Sequence, residues 1–176
     1  TILFRHLLIV LFCNSFSSFS YAANTTEHAG NALEVLLPLS AASISLIQQD
    51  DDGAKQFGKS LATTIITTQA LKYSVDAKRP NGEKHSFPSG HSALAFSSAE
   101  YVRARYGFAY GIPAYTLASF VAYSRVESEQ HYTRDVLAGA AIGIISSYYF
   151  TTEYKNVKIQ PDVSVNYVGI TLTGTW

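Results

Sequence analysis

The chain has 176 residues, of which 47% are hydrophobic and only 15% charged, with a formal net charge of zero. That length allows one domain with a sizeable core. The neutral balance excludes a broad basic face for nucleic acid, so any positive field is local and suits a small anionic group in a pocket.

Residues 3–13 (LFRHLLIVLFC) are a short apolar run with Arg5 and His6 near its start, followed by a polar stretch ending Ser20-Tyr21-Ala22-Ala23. A basic start, an apolar run too short to span a bilayer and a small-x-small site predict a signal peptide over 1–22, cut after Ala22 or Ala23. The expected location is an exported compartment of the periplasmic kind; an uncleaved membrane anchor is the alternative. Cys13 is the single cysteine and lies in this segment. The mature chain is therefore expected to lack disulfides, thiolate chemistry and cysteine-bound metal.

Residues 23–32 are polar and small and read as a mobile leader. Residues 33–49 predict a helix, bent at Pro38. Asp50-Asp51-Asp52-Gly53 reads as a solvated turn. It has too few spaced oxygens for a calcium loop, and Ala54 breaks the Asp-x-Asp-x-Thr pattern of aspartyl phosphatases. Residues 54–77 predict a second helix that ends near Arg79, because the residue before a proline avoids the helical region. Residues 80–89 form a loop, 90–105 a third helix and 106–111 a connector with two glycines. A fourth helix covers about 113–126, with Pro113 in its first turn, and a fifth runs from His131 to Phe150 after the polar residues 127–130. Residues 157–175 are rich in β-branched side chains and predict a hairpin or extended pair packed on the helical body, far too little for a barrel.

The fold class is thus mainly α: a compact bundle of about five helices over 33–155, with a β or extended tail over 156–176. The most apolar stretch, Val136–Phe150, has fifteen residues, fewer than the roughly twenty a span needs. A bundle in the exported compartment is expected rather than a multi-span protein, with contact to a membrane surface open. Nothing in the sequence specifies an oligomeric state.

Three short segments carry the chemistry: Lys72-x6-Arg79-Pro80, Pro88-Ser89-Gly90-His91 and Ser124-Arg125-x5-His131-x3-Asp135. His131 and Asp135 are four apart, so on one helix face Asp135 could accept from His131 Nδ1, fix the tautomer and leave Nε2 free. Ser89 is a good N-cap, and Gly90 lets backbone approach a ligand closely at a helix start, where free N–H groups favour phosphate. His91 beside that site could protonate a leaving oxygen. Arg79 and Arg125 can each fork onto phosphate oxygens, and Lys72 adds a point charge. Preorganised cations of this kind carry much of phosphoryl transfer. Taken singly, each segment also fits a structural reading: a His–Asp contact, a plain helix cap, solvated surface charge.

Together the three segments resemble the type 2 phosphatidic acid phosphatase superfamily, which includes bacterial acid phosphatases and vanadium haloperoxidases. Its pattern, K-x6-RP, PSGH and SR-x5-H-x3-D, is met at every defining position. The resemblance implies His131 as the nucleophile that forms a phosphohistidine, and His91 as acid for the leaving alcohol, then base for water. It implies Asp135 as the residue that orients His131, and Lys72, Arg79, Ser89, Gly90 and Arg125 as phosphate ligands. No metal and no cofactor is implied. The expected substrate is a lipid phosphate or a small phosphomonoester. A vanadium haloperoxidase on the same scaffold and a non-catalytic phospholipid-binding protein are the alternatives. His85, Glu127, Glu129 and Tyr132 are lesser candidates with no assigned role.

Overall fold

Asp50 shows best how the chain turns between elements. In the computed structural model, which describes residues 22–154, 157–164 and 167–174 and side chains from 25 to 154, it is the N-cap of a helix and not a solvated turn residue. Its side chain accepts from Gly53 N at 2.9 Å and from Arg105 Nε at 2.7 Å, and it is buried. Arg105 in turn donates to the carbonyl of Thr152 at 2.8 Å, so one buried ion pair closes the end of the bundle. Asp51 and Asp52 follow in the first turn, where the helix dipole favours negative charge.

The elements are α1 (Ala22–Ile47), α2 (Asp51–Val75), α3 (Gly90–Tyr106), α4 (Phe108–Glu127) and α5 (Thr133–Phe150), then β1 (Val157–Ser164) and β2 (Tyr167–Gly174). The two strands pair antiparallel, with Val157 opposite Gly174 and Ser164 opposite Tyr167. The expected hairpin is present; how it packs on the helices, and all of the expected signal peptide but Ala22, lie outside the described residues. The mainly helical fold is as expected.

Three boundaries differ from the sequence reading. Residues 23–32 are not a mobile leader but the first turns of α1. They are held because Gly30 packs directly on α4: a Cβ there would lie 2.0 Å from Ser124 Oγ. The connector expected over 106–111 shrinks to Gly107, whose φ of 89° breaks the chain direction in one residue, so Pro113 falls inside α4. The last helix starts at Thr133, not His131, with Tyr132 at its N-cap.

α3 is the central element and touches each of the other four helices. The buried side chains of its first ten residues are small: Ser92, Ala93, Ala95, Ser97, Ser98 and Ala99; the larger Glu100, Tyr101, Val102 and Arg105 are buried only in its last turns. Small residues let backbones approach closely. Gly139 and Gly143 of α5 exploit this, since a Cβ on either would sit 2.3 Å or 2.2 Å from the carbonyl oxygens of Ser89 and Ala93. Hydroxyls stitch the same seam, with Ser147 Oγ donating to Ser97 O at 2.7 Å. The larger core side chains sit toward the Asp50 end, where Phe57 stacks on Tyr101 at 4.5 Å. Many large apolar residues face outward instead, among them Leu39, Ile47, Ile66, Ile112, Leu137 and Tyr149. Among the described residues, Thr25–Ile47 is long and apolar enough to cross a membrane.

Candidate active site

The site lies at the ends of helices. α2 stops where Asp76 turns left-handed at φ 40°. The following loop folds back on itself, with Arg79 N donating to Glu83 O at 2.7 Å and Ser86 N to Ala77 O at 2.8 Å. Lys72, in the last turn of α2, donates through Nζ to the carbonyl of His85 at 2.9 Å. His85 therefore pins the lysine; its ring does not line the pocket. Arg79 Nη1 donates to Gln130 Oε1 at 2.8 Å and Glu83 Oε2 at 2.9 Å, which carries it from the loop to the α4–α5 connector.

Ser89 caps α3 as expected, its Oγ accepting from Ser92 N at 3.4 Å. It is fully buried, and its own N–H donates to Asp135 O at 2.9 Å. That bond joins the start of α3 to the first turn of α5. Gly90 and His91 are the residues of this turn that face the pocket.

The pocket has a volume of about 260 Å³, and Lys72, Arg79, Gly90, His91 and His131 line it together with Glu34. Five of the eight expected site residues thus meet on one cavity. Ser89, Arg125 and Asp135 are buried behind it. Glu127, Glu129 and Tyr132 do not line it.

Asp135 is not hydrogen-bonded to His131 in the manner the four-residue spacing suggested. The two nearest atoms, His131 Nδ1 and Asp135 Oδ2, are 3.8 Å apart, within ion-pair but outside hydrogen-bond range. The reason is the later start of α5: His131 precedes the N-cap, so the pair does not share a helix face. Asp135 Oδ2 instead accepts from Ser86 Oγ and from Tyr132 N at 3.1 Å. His131 Nδ1 and Asp135 Oδ1 are both buried without a hydrogen-bond partner, and Arg134 Nε lies 3.5 Å from the same Asp135 oxygen.

Burial is the largest influence on Lys72, Arg125 and His131, and the Arg79 guanidinium disfavours charge on all three. Burial lowers Lys72, with Arg79 adding to the effect and Asp135 opposing it. It lowers Arg125 as well, against the opposing carboxylates of Glu27 and Glu34. His131 falls from 6.5 to about 4 through burial, then Lys72 and Arg79, with Asp135 pulling the other way. At neutral pH the imidazole is therefore uncharged and keeps its lone pair, which a nitrogen nucleophile needs. An anion in the pocket relieves the crowding of positive charge.

The sequence reading missed the part that α1 plays at the site. Asn31 Oδ1 accepts from Arg125 Nη1 at 2.8 Å and lies 3.1 Å from His91 Nε2. Glu34 Oε2 lies 2.8 Å from the same His91 nitrogen. The backbone carbonyl of Glu27 accepts from Arg125 Nη2 at 3.0 Å. One signal was available: Glu34 is a lone carboxylate in the apolar run LEVLLPL. Gln130 and Ser86, which hold Arg79 and Asp135, carried no such signal. Among the described residues, no group of three or more His, Cys, Asp or Glu side chains is placed to hold a metal ion.

Several known proteins are similar to this chain. A Lipid A 1-phosphatase of Porphyromonas gingivalis is 38% identical over 103 residues, which are 52% of this chain but only 23% of that protein. A Lipid A 4'-phosphatase of Helicobacter pylori is 29% identical over an alignment of 185 residues, covering 95% of this chain and 91% of its own length. The crystal structure of Aquifex aeolicus LpxE superposes with a TM-score of 0.65 at 23% identity, over 76% of this chain and 87% of that one, so the fold is shared. The family model of the PAP2 superfamily matches residues 53–158, which run from α2 into the hairpin and include all three motif segments. The chain belongs to the PAP2 superfamily.

Proposed function

We propose that this chain is a phosphatase that hydrolyses a phosphate monoester, or the terminal phosphate of a pyrophosphate, on a lipid, through a phosphohistidine at His131 and without a metal ion. The observation that carries the reading is the single pocket lined by Lys72, Arg79, the Gly90–His91 helix start and a neutral His131. Cations and free N–H groups bind the phosphate oxygens, with Arg125 adding its charge from behind.

In the first step His131 Nε2 forms a bond to phosphorus as the P–O bond to the leaving group breaks. The electron pair of that bond stays on oxygen, which takes a proton from His91. Asp135 stabilises the charge that develops on His131. In the second step His91 takes a proton from water, whose oxygen attacks phosphorus as the N–P bond breaks.

A lipid as leaving group is supported by relatives named as lipid A phosphatases and by the outward-facing large apolar side chains over a small-residue interior. That inversion suits helices in contact with lipid. A membrane-associated enzyme with its site toward the exported compartment follows from this reading.

The test is phosphate release by the full chain in detergent from a panel: lipid A, phosphatidic acid, phosphatidylglycerophosphate, undecaprenyl pyrophosphate and sugar phosphates. We expect release from at least one lipid, retained in EDTA, inhibited by vanadate and abolished in His131→Ala. Unchanged release by that variant, or loss in EDTA reversed by Mg²⁺ or Zn²⁺, would refute the mechanism. Halide oxidation with peroxide and vanadate, without phosphate release, would favour a haloperoxidase. Phospholipid binding with no turnover would favour a binding protein.

A further inference from the structure

Both contacts that His91 makes among the described residues use one ring atom. Nε2 lies 2.8 Å from Glu34 Oε2 and 3.1 Å from Asn31 Oδ1. Two acceptors around one nitrogen require a proton on it. The assignment of Asn31 Oδ1 as the acceptor is supported independently, because Arg125 Nη1, which can only donate, meets the same oxygen at 2.8 Å. Asn31 and Glu34 are three apart on α1, so they share a helix face. Gly30 allows that face to reach α4: a Cβ there would lie 2.8 Å from Arg125 Nη2. Glu34 also lines the pocket itself.

We propose that Glu34, assisted by Asn31, is the positioning carboxylate of the acid histidine. It holds the proton on His91 Nε2, so Nδ1 is the atom that serves the leaving group. The proton account closes. The imidazolium gives its Nδ1 proton to the leaving oxygen as the P–O bond breaks. The tautomer that remains carries its proton on Nε2, the one Glu34 and Asn31 accept. In the second step Nδ1 takes a proton from the attacking water. The site then holds two opposed His–carboxylate pairs, Asp135 at His131 Nδ1 and Glu34 at His91 Nε2. The surrounding cations are Lys72 from α2, Arg79 from the loop and Arg125 from α4, with the uncharged His131 on the α4–α5 connector and the Glu27 carboxylate on α1 beside Arg125. Against these cations Glu34 is the carboxylate in contact with His91. This inference rests on the phosphatase reading above.

The test compares the phosphorylation step, by single turnover of the full chain in detergent, for two phosphomonoesters. An alkyl phosphate must have its leaving oxygen protonated, whereas p-nitrophenyl phosphate releases a phenolate that is stable as an anion. Glu34→Gln is expected to slow the alkyl ester by about 10²-fold and the nitrophenyl ester by less than about 3-fold, the pattern of weakened acid catalysis. Glu34→Asp should recover part of the loss, and Glu34→Ala should match Glu34→Gln. Equal slowing of both esters, or of neither, would sink the role of Glu34 and leave the phosphatase reading intact. A wild-type chain that releases phosphate from no ester would overturn both.

Discussion

Gly139→Ala should separate the two halves of the active site. The new Cβ would lie 2.3 Å from Ser89 O and 3.2 Å from Ser89 C, where ordinary contact begins near 3.4 Å. The obstacle is helix-cap backbone and not a flexible side chain, so α5 and the start of α3 must part by about 1 Å. Overpacking of this kind costs about 1–3 kcal/mol. The movement also stretches the 2.9 Å bond from Ser89 N to Asp135 O, which sets His131 and Asp135 against Gly90 and His91. Misplacement of reacting groups by about 1 Å costs about 10²-fold in rate. Unfolding in detergent and phosphate release with a lipid phosphate read the two effects separately. Gly58→Ala is the comparison: Gly58 is an exposed residue of α2 with nothing within 4 Å of the new Cβ, and alanine there should stabilise by about 0.5–1 kcal/mol. A Gly139→Ala protein within about 0.5 kcal/mol of wild type and fully active would refute the close-approach argument.

Two further outcomes follow from the same geometry. Gly30→Ala places a Cβ 2.0 Å from Ser124 Oγ, so α1 must withdraw from Arg125; activity should fall by roughly tenfold or more, as for loss of outer support to a site, and an unaffected enzyme would mean that α1 does not brace it. For His131, depressed to about 4, the acid limb of kcat/KM should lie near pH 4, and a limb near 6.5 would contradict the burial argument. Stability follows with a definite sign: the unfolded chain takes up this proton first, so stability falls as pH drops from 6.5 to about 4, by about 3 kcal/mol, and no further below; His131→Ala should lack that loss.

How much was legible in advance varied with the range of the interaction. The start of α3 was readable because Ser89, Gly90 and the preceding proline act on their own neighbourhood. The end of α2 before Arg79-Pro80 was readable for the same reason. The start of α5 was misjudged by two residues, and that slip mattered, because the His131–Asp135 argument assumed a helical spacing. Asp50 looked solvated because it opens an Asp-Asp-Asp-Gly run that reads as a turn; its partner Arg105 lies 55 residues on.

The sequence by itself determined the helical class, the order of elements and the three motif segments from which five side chains or backbone positions line one pocket. Capping, proline, glycine and charge chemistry are local, and the three motif segments name their own side chains. Only the tertiary structure decided that α1 closes the site. The contacts of Asn31 with His91 and Arg125 join residues 60 and 94 positions apart, and no local pattern encodes which helix faces meet. Tertiary structure also decided that Ser86, not His131, satisfies Asp135. It decided as well that small residues fill the interior while large apolar ones face out, because burial is set by which helices pack together and not by the residues alone.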